Sequence, residues 1–239
     1  MLGFRRWVAP VAAVAAFGLF EAPPLLESPA AHAAPGDTQA ALGGGSGIVL
    51  GKATKCSLTT IGYDNAGRLV GFTAGHCAEE GTPVTGEQFP DAGVVGTVVS
   101  SDAEIDYAVI QFDPAKVIPL RTVGATTIAS TGLSPIAWDV VCQGGRTMGD
   151  ACGVVWASGA GGFLDQACSS YGDSGGPLVL GDRLVGLVSG PLISDTKSTR
   201  FSCSDPYNPV HTPTFAVSWD SVRAAVDAAK GVGAGFHPA

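Results

Sequence analysis

Apolar residues occur along most of the chain in short runs that are separated by turn-forming residues. The turn signals include Asp-Asn-Ala-Gly at 64–67 and Gly181-Asp182, which lies between two apolar runs and predicts a tight hairpin. The runs rich in strand-forming residues lie at 56–62, 69–73, 94–99, 107–112, 140–143, 153–157, 177–180 and 183–189. Many short strands with little helix between them predict an all-β barrel or sandwich rather than an α/β fold.

One helix is predicted close to the C-terminus. Ser218 or Asp220 is a suitable N-cap, and Gly231 is a suitable stop. Between them an apolar face recurs at helical spacing, formed by Val222, Ala225, Val226 and Ala229. Residues 48–231 are expected to form a single domain, and residues 232–239 a frayed tail.

The first 33 residues have the features of a signal peptide. Two arginines precede an apolar stretch at 7–20, and Ala31-His32-Ala33 fits a cleavage site directly after Ala33. The apolar stretch is shorter than the roughly 20 residues that span a bilayer. We therefore expect a secreted protein with no membrane span in its mature chain, and an uncleaved anchor is the alternative. A flexible, Gly-rich leader is expected at 34–47.

Composition narrows the class of protein further. The chain has 13 Lys and Arg against 21 Asp and Glu, a formal net charge of −8. Nucleic acids and anionic membrane surfaces attract basic patches, so neither is expected as a partner. Hydrophobic residues make up 46% of the chain and charged residues only 14%, which is the opposite of a disordered composition.

Six cysteines form an even set in a chain that is expected to be exported, which predicts three disulfides. Their spacing alone does not choose the pairing. A zinc site is less favoured, because the sequence has no Cys-x-x-Cys pair and the histidine nearest to a cysteine is His76, beside Cys77. We expect neither a metal nor a cofactor.

Three short segments carry the residue types that nucleophilic acyl transfer requires. His76 lies in Thr-Ala-Gly-His-Cys, Asp106 in Ile-Asp-Tyr-Ala-Val, and Ser174 in Gly-Asp-Ser-Gly-Gly-Pro. A serine hydroxyl needs a base such as histidine to take its proton, and a carboxylate fixes the histidine tautomer. Glycines beside the serine let backbone N–H groups converge on an oxyanion. Each segment alone also has a structural explanation, as a turn, a core histidine or a strand cap.

Together and in this order, the three segments resemble those of the chymotrypsin-like serine peptidases. Val-Cys-Gln-Gly-Gly-Arg-Thr at 141–147, followed by Cys152-Gly153, is similar to a hairpin of the compact bacterial members, the streptogrisins and α-lytic protease. Cys168 lies six residues before Ser174, as in that subset. The resemblance implies two six-stranded antiparallel β-barrels with a C-terminal helix and an active site between the barrels. It also implies the disulfides Cys56–Cys77, Cys142–Cys152 and Cys168–Cys203.

The resemblance assigns a role to each matching position. Ser174 would be the nucleophile, His76 the general base, and Asp106 the group that orients His76. The N–H groups of Gly172 and Ser174 would form the oxyanion hole. The hydroxyl of Ser189 would contact the buried aspartate, and its carbonyl would bind the substrate backbone.

The specificity pocket departs from better-known patterns. Cys168 occupies the position that often sets the base of the pocket, so no aspartate there favours Arg or Lys substrates. Val188 stands where Glu-selective relatives have histidine, and Pro191 follows Gly190 on the pocket wall. Tyr171 is expected to line the entrance. We interpret this as an uncharged pocket for small or medium apolar side chains, unless Pro191 and an insertion at 192–202 close it.

The partner of Asp173, which precedes the nucleophile, is open. A liberated amino terminus at Ile48 is one candidate, although Ile48 is better explained as the start of a strand. Arg146 is the nearest internal cation, because Gln143 follows Cys142 where the bacterial relatives have arginine. We expect the chain to fold without a large pro-domain.

These observations predict a secreted, monomeric serine endopeptidase that acts on protein or peptide substrates. A secreted, non-catalytic peptide-binding protein on a peptidase scaffold is the alternative, and an esterase with the same triad is a third possibility.

Overall fold

The computed structural model describes residues 39–191, 203, 205 and 210–239. The predicted signal peptide, residues 34–38 of the predicted leader and the insertion at 192–202 lie outside these described residues. The described strands, in chain order, are β1 (Ala40–Gly43), β2 (Gly47–Leu50), β3 (Thr54–Ser57), β4 (Thr60–Tyr63), β5 (Leu69–Thr73), β6 (Pro83–Gly86), β7 (Gly96–Asp102), β8 (Tyr107–Phe112), β9 (Val117–Leu120), β10 (Thr122–Val123), β11 (Thr126–Thr127), β12 (Ser130–Thr131), β13 (Val140–Gln143), β14 (Ala151–Gly159), β15 (Gly162–Asp165), β16 (Pro177–Leu180), β17 (Arg183–Pro191), β18 (Thr214–Ser218) and β19 (His237–Pro238).

The N-terminal half forms a curled sheet in the order β19-β4-β5-β8-β7-β6-β2-β3. Strand β2 pairs with both β3 and β6, which leaves β3 and β19 as the two edges of the sheet. Strands β3 and β4 are consecutive in the chain and are joined by Leu58 and Thr59, but they do not pair with each other in the sheet. The interior is filled by apolar side chains from β2, β4, β5, β6, β7 and β8 and by Cys56 of β3. Ile48, Leu58, Val84 and Ile110 are fully buried there.

The C-terminal half forms a closed barrel. Its six strands are paired in the order β17-β16-β13-β14-β15-β18, and β18 pairs again with β17. Val141, Val155, Phe163, Leu178 and Val185 are among the residues that fill it. The hairpin predicted at Gly181-Asp182 joins β16 to β17, with Gly181 in the left-handed region at φ 68°. The predicted two-barrel, all-β fold with one C-terminal helix is confirmed.

The helix α1 spans Trp219–Ala229 and covers the first barrel through Trp219, Val222 and Val226. Ser218 is its N-cap residue by position, although its hydroxyl contacts Ser221 Oγ at 3.0 Å rather than a backbone N–H. The helix ends at Lys230, which adopts the left-handed conformation at φ 55°. The turn therefore comes one residue before Gly231, the predicted stop.

The prediction of a flexible leader is wrong for residues 40–47. Ala40 and Leu42 are buried, and β1 pairs in parallel with β9. The glycines allow close packing here, since a Cβ at Gly43 would lie 2.5 Å from Leu120 O. Glycine-rich sequence therefore marks a tight contact in this segment rather than flexibility.

The prediction of a frayed tail is also wrong. Strand β19 pairs with β4. Phe236 is only 8% exposed and packs edge-on against Phe72 and Trp219, at ring-centroid distances of 5.0 and 5.6 Å. Hydrogen bonds from Gly233 N–H to Asp64 Oδ2 at 3.0 Å and from Gly235 N–H to Asp227 Oδ1 at 2.7 Å also hold the tail, so strand pairing, ring packing and hydrogen bonds together order it.

The three disulfides that the family resemblance implied are all present. Cys56 is bonded to Cys77, Cys142 to Cys152, and Cys168 to Cys203. No helix within the described residues is long and apolar enough to cross a membrane.

Candidate active site

His76 lies on a single 3₁₀ turn, Gly75–Cys77, that directly follows β5. Gly75 is needed there because a Cβ would lie 2.5 Å from the carbonyl oxygen of Asp102. The disulfide from Cys77 to Cys56 ties the turn to β3. The His76 side chain remains 49% exposed, so the turn is fixed while the imidazole stays accessible.

Asp106 faces His76 from the residue before β8. Its backbone adopts the left-handed region at φ 67°, which costs energy for a side-chain-bearing residue. The carboxylate accepts a hydrogen bond from the His76 backbone N–H at 2.8 Å and lies 3.0 and 3.1 Å from His76 Nδ1. Ser189 Oγ donates to Asp106 Oδ2 at 2.5 Å. Two barrels thus meet at this carboxylate.

The hydrogen bond between His76 and Asp106 shifts the pKa of each side chain. The hydrogen bond to Asp106 raises the pKa of His76 above 6.5, although partial burial opposes the rise. Burial alone would raise the pKa of Asp106, but the hydrogen bonds from His76 and Ser189 outweigh it and the pKa falls below 3.8. An ionised Asp106 accepts from Nδ1–H, which leaves Nε2 of neutral His76 as a proton acceptor.

Ser174 lies in a turn that both barrels hold. Gly172 and Gly175 flank it in left-handed conformations, at φ 95° and 82°. The carbonyl oxygen of Ser174 accepts from Ser57 N–H at 2.8 Å, and the Thr59 hydroxyl donates to Gly175 O at 2.5 Å. Among the hydrogen bonds that the described residues form, none joins the Ser174 hydroxyl to His76.

Two backbone N–H groups beside Ser174 are free to bind a ligand. The amides of Gly172 and Ser174 donate to no acceptor within the described residues, whereas their neighbour Asp173 N–H donates to Ser170 O at 3.0 Å. Backbone donors of this kind suit a developing negative charge.

Asp173 is fully buried and is surrounded by backbone N–H groups. Its Oδ1 accepts from Thr147 N–H at 2.7 Å, its Oδ2 accepts from Ser170 N–H at 2.9 Å, and Met148 N–H lies at 3.2 and 3.3 Å from the two oxygens. Burial raises the pKa of Asp173, and these hydrogen bonds oppose the rise. The carboxylate is therefore satisfied by the chain itself.

Neither candidate partner from the sequence pairs directly with Asp173. Ile48 lies within β2, opposite Cys56 and Gly86. Arg146 instead forms a forked ion pair with Glu87, from Nε to Oε2 at 2.5 Å and from Nη2 to Oε1 at 2.6 Å. Glu87 had no signal in the sequence, because it lies 59 residues away from Arg146.

The residues predicted to bind substrate fall into two groups. Tyr171 is 87% exposed, Pro191 is exposed, and a side chain at Gly190 would meet nothing within 4 Å. Val188 is different, since its side chain is 1% exposed in the core of the second barrel and only its backbone faces the Ser174 turn. The side chain of Val188 therefore cannot touch a substrate.

No three His, Cys, Asp or Glu side chains in the described part of the chain converge as metal ligands would.

The fold matches solved structures of bacterial serine proteases. The chain resembles a Nocardiopsis protease (22% identity, TM-score 0.61, covering 79% of this chain and 96% of that one). It also resembles Thermobifida fusca protease A (25%, 0.60, 78% and 96%) and an alpha-lytic protease homologue (20%, 0.59, 80% and 98%). No protein-family model matches the chain. At these identities the likeness establishes the fold, which is the chymotrypsin-like fold of the bacterial subset.

Proposed function

We propose that this protein is a secreted serine endopeptidase that hydrolyses peptide bonds through a covalent acyl-enzyme. The observation that carries the proposal is the hydrogen-bonded array of Ser189, Asp106 and His76, together with a glycine-flanked Ser174 whose own N–H is free. An ionised carboxylate held in this way serves no evident packing purpose and suits a histidine that must gain and lose a proton.

Acylation begins at Ser174. Its Oγ attacks the carbonyl carbon of the substrate while the hydroxyl proton moves to Nε2 of His76. Asp106 stabilises the imidazolium that forms, and the N–H groups of Gly172 and Ser174 donate to the oxyanion. His76 then gives the proton to the leaving amine as the C–N bond breaks.

Deacylation repeats these steps with water. The water oxygen attacks the acyl carbonyl, its proton passes to His76, and the Ser174 oxygen leaves with that proton. The products are a carboxylic acid and the original hydroxyl. Every group that moves a proton belongs to the chain or to the substrates, so this reaction requires no cofactor.

The substrate side chain before the cleaved bond is expected to be uncharged. Cys168, at the position associated with the base of the pocket, is buried and bonded to Cys203. The accessible groups nearby are Tyr171, Gly190 and Pro191. A peptide library should show cleavage after small or medium apolar residues, and a preference for Lys, Arg, Asp or Glu would contradict this part of the proposal.

Active-site labelling tests the chemistry directly. The secreted, purified protein should gain the mass of one fluorophosphonate group, and Ser174→Ala should gain none. Ser170→Ala is the matched control, since it removes a nearby hydroxyl and should still be labelled. No adduct on a folded, fully oxidised protein would refute the peptidase and favour the peptide-binding alternative. An adduct with ester hydrolysis but no peptide hydrolysis would indicate an esterase.

Export and oligomeric state need separate measurements. The intact mass of the secreted protein should correspond to a chain that begins at Ala34 with all six cysteines oxidised. Light scattering during gel filtration should give the mass of one chain. A protein retained in the membrane with residues 1–33 intact would contradict export.

A further inference from the structure

The two free N–H groups beside Ser174 are each oriented by a hydrogen bond on the far side of the same peptide. In a trans peptide the carbonyl oxygen and the N–H point in opposite directions. The described residues contain no cis peptide. Fixing the carbonyl oxygen of residue 171 or 173 therefore fixes the N–H of residue 172 or 174.

The two carbonyl oxygens are held by different kinds of donor. Asp173 O accepts from the backbone N–H of Gly176 at 2.8 Å, within the same turn. Tyr171 O accepts instead from the side-chain hydroxyl of Thr147 at 2.7 Å. The direction of Gly172 N–H thus depends on one side chain.

The Thr147 hydroxyl is itself directed. Arg146 Nη1 donates to Thr147 Oγ1 at 3.0 Å. A guanidinium group has no acceptor, so the hydroxyl must accept this bond, and its own proton is left for Tyr171 O. The backbone N–H of Thr147 donates to Asp173 Oδ1, which holds the residue against the Ser174 turn.

Arg146 lies between β13 and β14 of the second barrel, and its side chain is anchored to the first barrel. The forked ion pair connects it to Glu87, which directly follows β6 and also pairs with Lys55 at 2.9 Å. The Glu87 backbone N–H donates to Gly47 O at 3.0 Å. A chain of hydrogen bonds therefore runs from a fixed carboxylate on the first barrel to the Tyr171–Gly172 peptide.

We propose that Thr147 is a positioning residue that orients the N–H of Gly172 toward the oxyanion, and that Glu87 and Arg146 anchor it. The inference rests on the proposed peptidase function for its kinetic consequence, but the peptide orientation itself is independent of catalysis. None of the three side chains touches the reacting atoms.

Thr147→Val tests the proposal, because valine keeps the shape of threonine and lacks its hydroxyl. Loss of one oxyanion donor lowers kcat by about 10²–10³-fold. Since valine would misorient the donor rather than remove it, we expect kcat for peptide hydrolysis to fall about 10–100-fold while KM changes little. Thr147→Ser retains a hydroxyl and should restore kcat to within about threefold.

Thr122→Val is the matched control. Thr122 is exposed and its hydroxyl contacts Thr127 Oγ1 at 3.0 Å across a two-strand ribbon, so its loss should leave kcat unchanged. Glu87→Gln and Arg146→Lys should each lower kcat less than Thr147→Val. In the Thr147→Val background neither should lower it further, because coupled residues are not additive.

Two further readouts separate this proposal from the proposed function. The pKa of the His76 imidazole, followed by NMR, should be the same in Thr147→Val as in the parent protein. A crystal structure of Thr147→Val should show the Tyr171–Gly172 peptide rotated. An unrotated peptide, or a kcat within twofold of the parent, would overturn the positioning role. Failure of the parent protein to react with fluorophosphonate would refute the peptidase instead, and the rotated or unrotated peptide would still decide the orientation.

Discussion

Replacing Glu87 by Gln should destabilise the folded protein by about 1–2 kcal/mol at neutral pH and by almost nothing in strong acid. The hydrogen bond from Arg146, and then that from Lys55, lowers the pKa of Glu87 from 4.5 to about 2, against the opposing effect of partial burial. At about 1.4 kcal/mol per pH unit, this fall corresponds to about 3 kcal/mol. The Glu87 and Arg146 side chains are 20% and 21% exposed. Water therefore screens part of the attraction, which leaves the smaller figure.

The pH dependence gives this prediction its sign. A carboxyl group whose pKa is lowered by folding contributes stability that is complete above the unfolded pKa and is lost as the pH falls through the folded pKa. The difference between the parent protein and Glu87→Gln should therefore be full at neutral pH, shrink below pH 4.5 and vanish near pH 2.

Urea denaturation with the disulfides intact measures this difference. Unfolding should be followed at neutral pH and at several values between about pH 5 and pH 2, with and without added salt. Glu80→Gln is the control, because Glu80 is exposed and joins none of the ion pairs among the described residues. A difference that persists near pH 2, or that is absent at neutral pH, would refute the reasoning.

Three other predictions test the site and the fold. The pKa of His76, followed by imidazole NMR in a Ser174→Ala background, should lie above 6.5 and should fall in Asp106→Asn, because the main cause of the rise is the hydrogen bond to Asp106; an unchanged value would contradict the pairing. Phe236→Ala should lower the free energy of unfolding by about 3 kcal/mol, because a buried ring is lost, and Phe236→Leu should lower it less; a cost below about 1 kcal/mol would mean that the tail frays after all. Gly175→Ala should lower the melting temperature and abolish labelling, since its Cβ would collide with the Thr73 hydroxyl, whereas Gly159→Ala, with open space around it, should do neither.

The all-β class, many of the strands and the helix α1 were predictable because their signals are local, whereas the two-barrel arrangement was expected only from the family resemblance. Strand-forming runs, the Gly181-Asp182 hairpin and the apolar face of α1 each lie within a few residues of one another in the sequence. The approach of His76 to Asp106 is a long-range contact, and it was expected only through the family resemblance. The left-handed backbone at Asp106 has no signal in Ile-Asp-Tyr-Ala-Val, which is typical of a simple strand start.

Glycine was the main source of wrong predictions. The run Gly43-Gly44-Gly45 predicted flexibility, yet a Cβ at Gly44 would lie 2.5 Å from the Ile128 side chain. The tail packs closely on β4, where a Cβ at Gly62 would collide with the backbone of His237. A sequence shows that a residue lacks a side chain, and it does not show whether another part of the chain fills the space.

Backbone N–H groups, rather than a directly paired cation, bind the carboxylate of Asp173. The turn at 145–149 is closed by reciprocal hydrogen bonds between Gly145 and Gly149, at 3.1 and 3.0 Å, and Gly145 lies so close to Asp173 that a Cβ would collide with the carboxylate. This turn delivers two of the three backbone N–H groups that satisfy Asp173, those of Thr147 and Met148, and it also carries Arg146. Backbone N–H groups satisfy the hydrogen-bonding needs of this buried carboxylate, and Arg146 acts on it only through charge attraction, which lowers its pKa. Arg146 is consequently free to reach Glu87, and the same turn can both hold Asp173 and orient Gly172. Assembly of the proposed oxyanion hole would then depend on the 145–149 turn being docked on the first barrel, while Ile48 stays paired with Cys56 and Gly86 within its sheet.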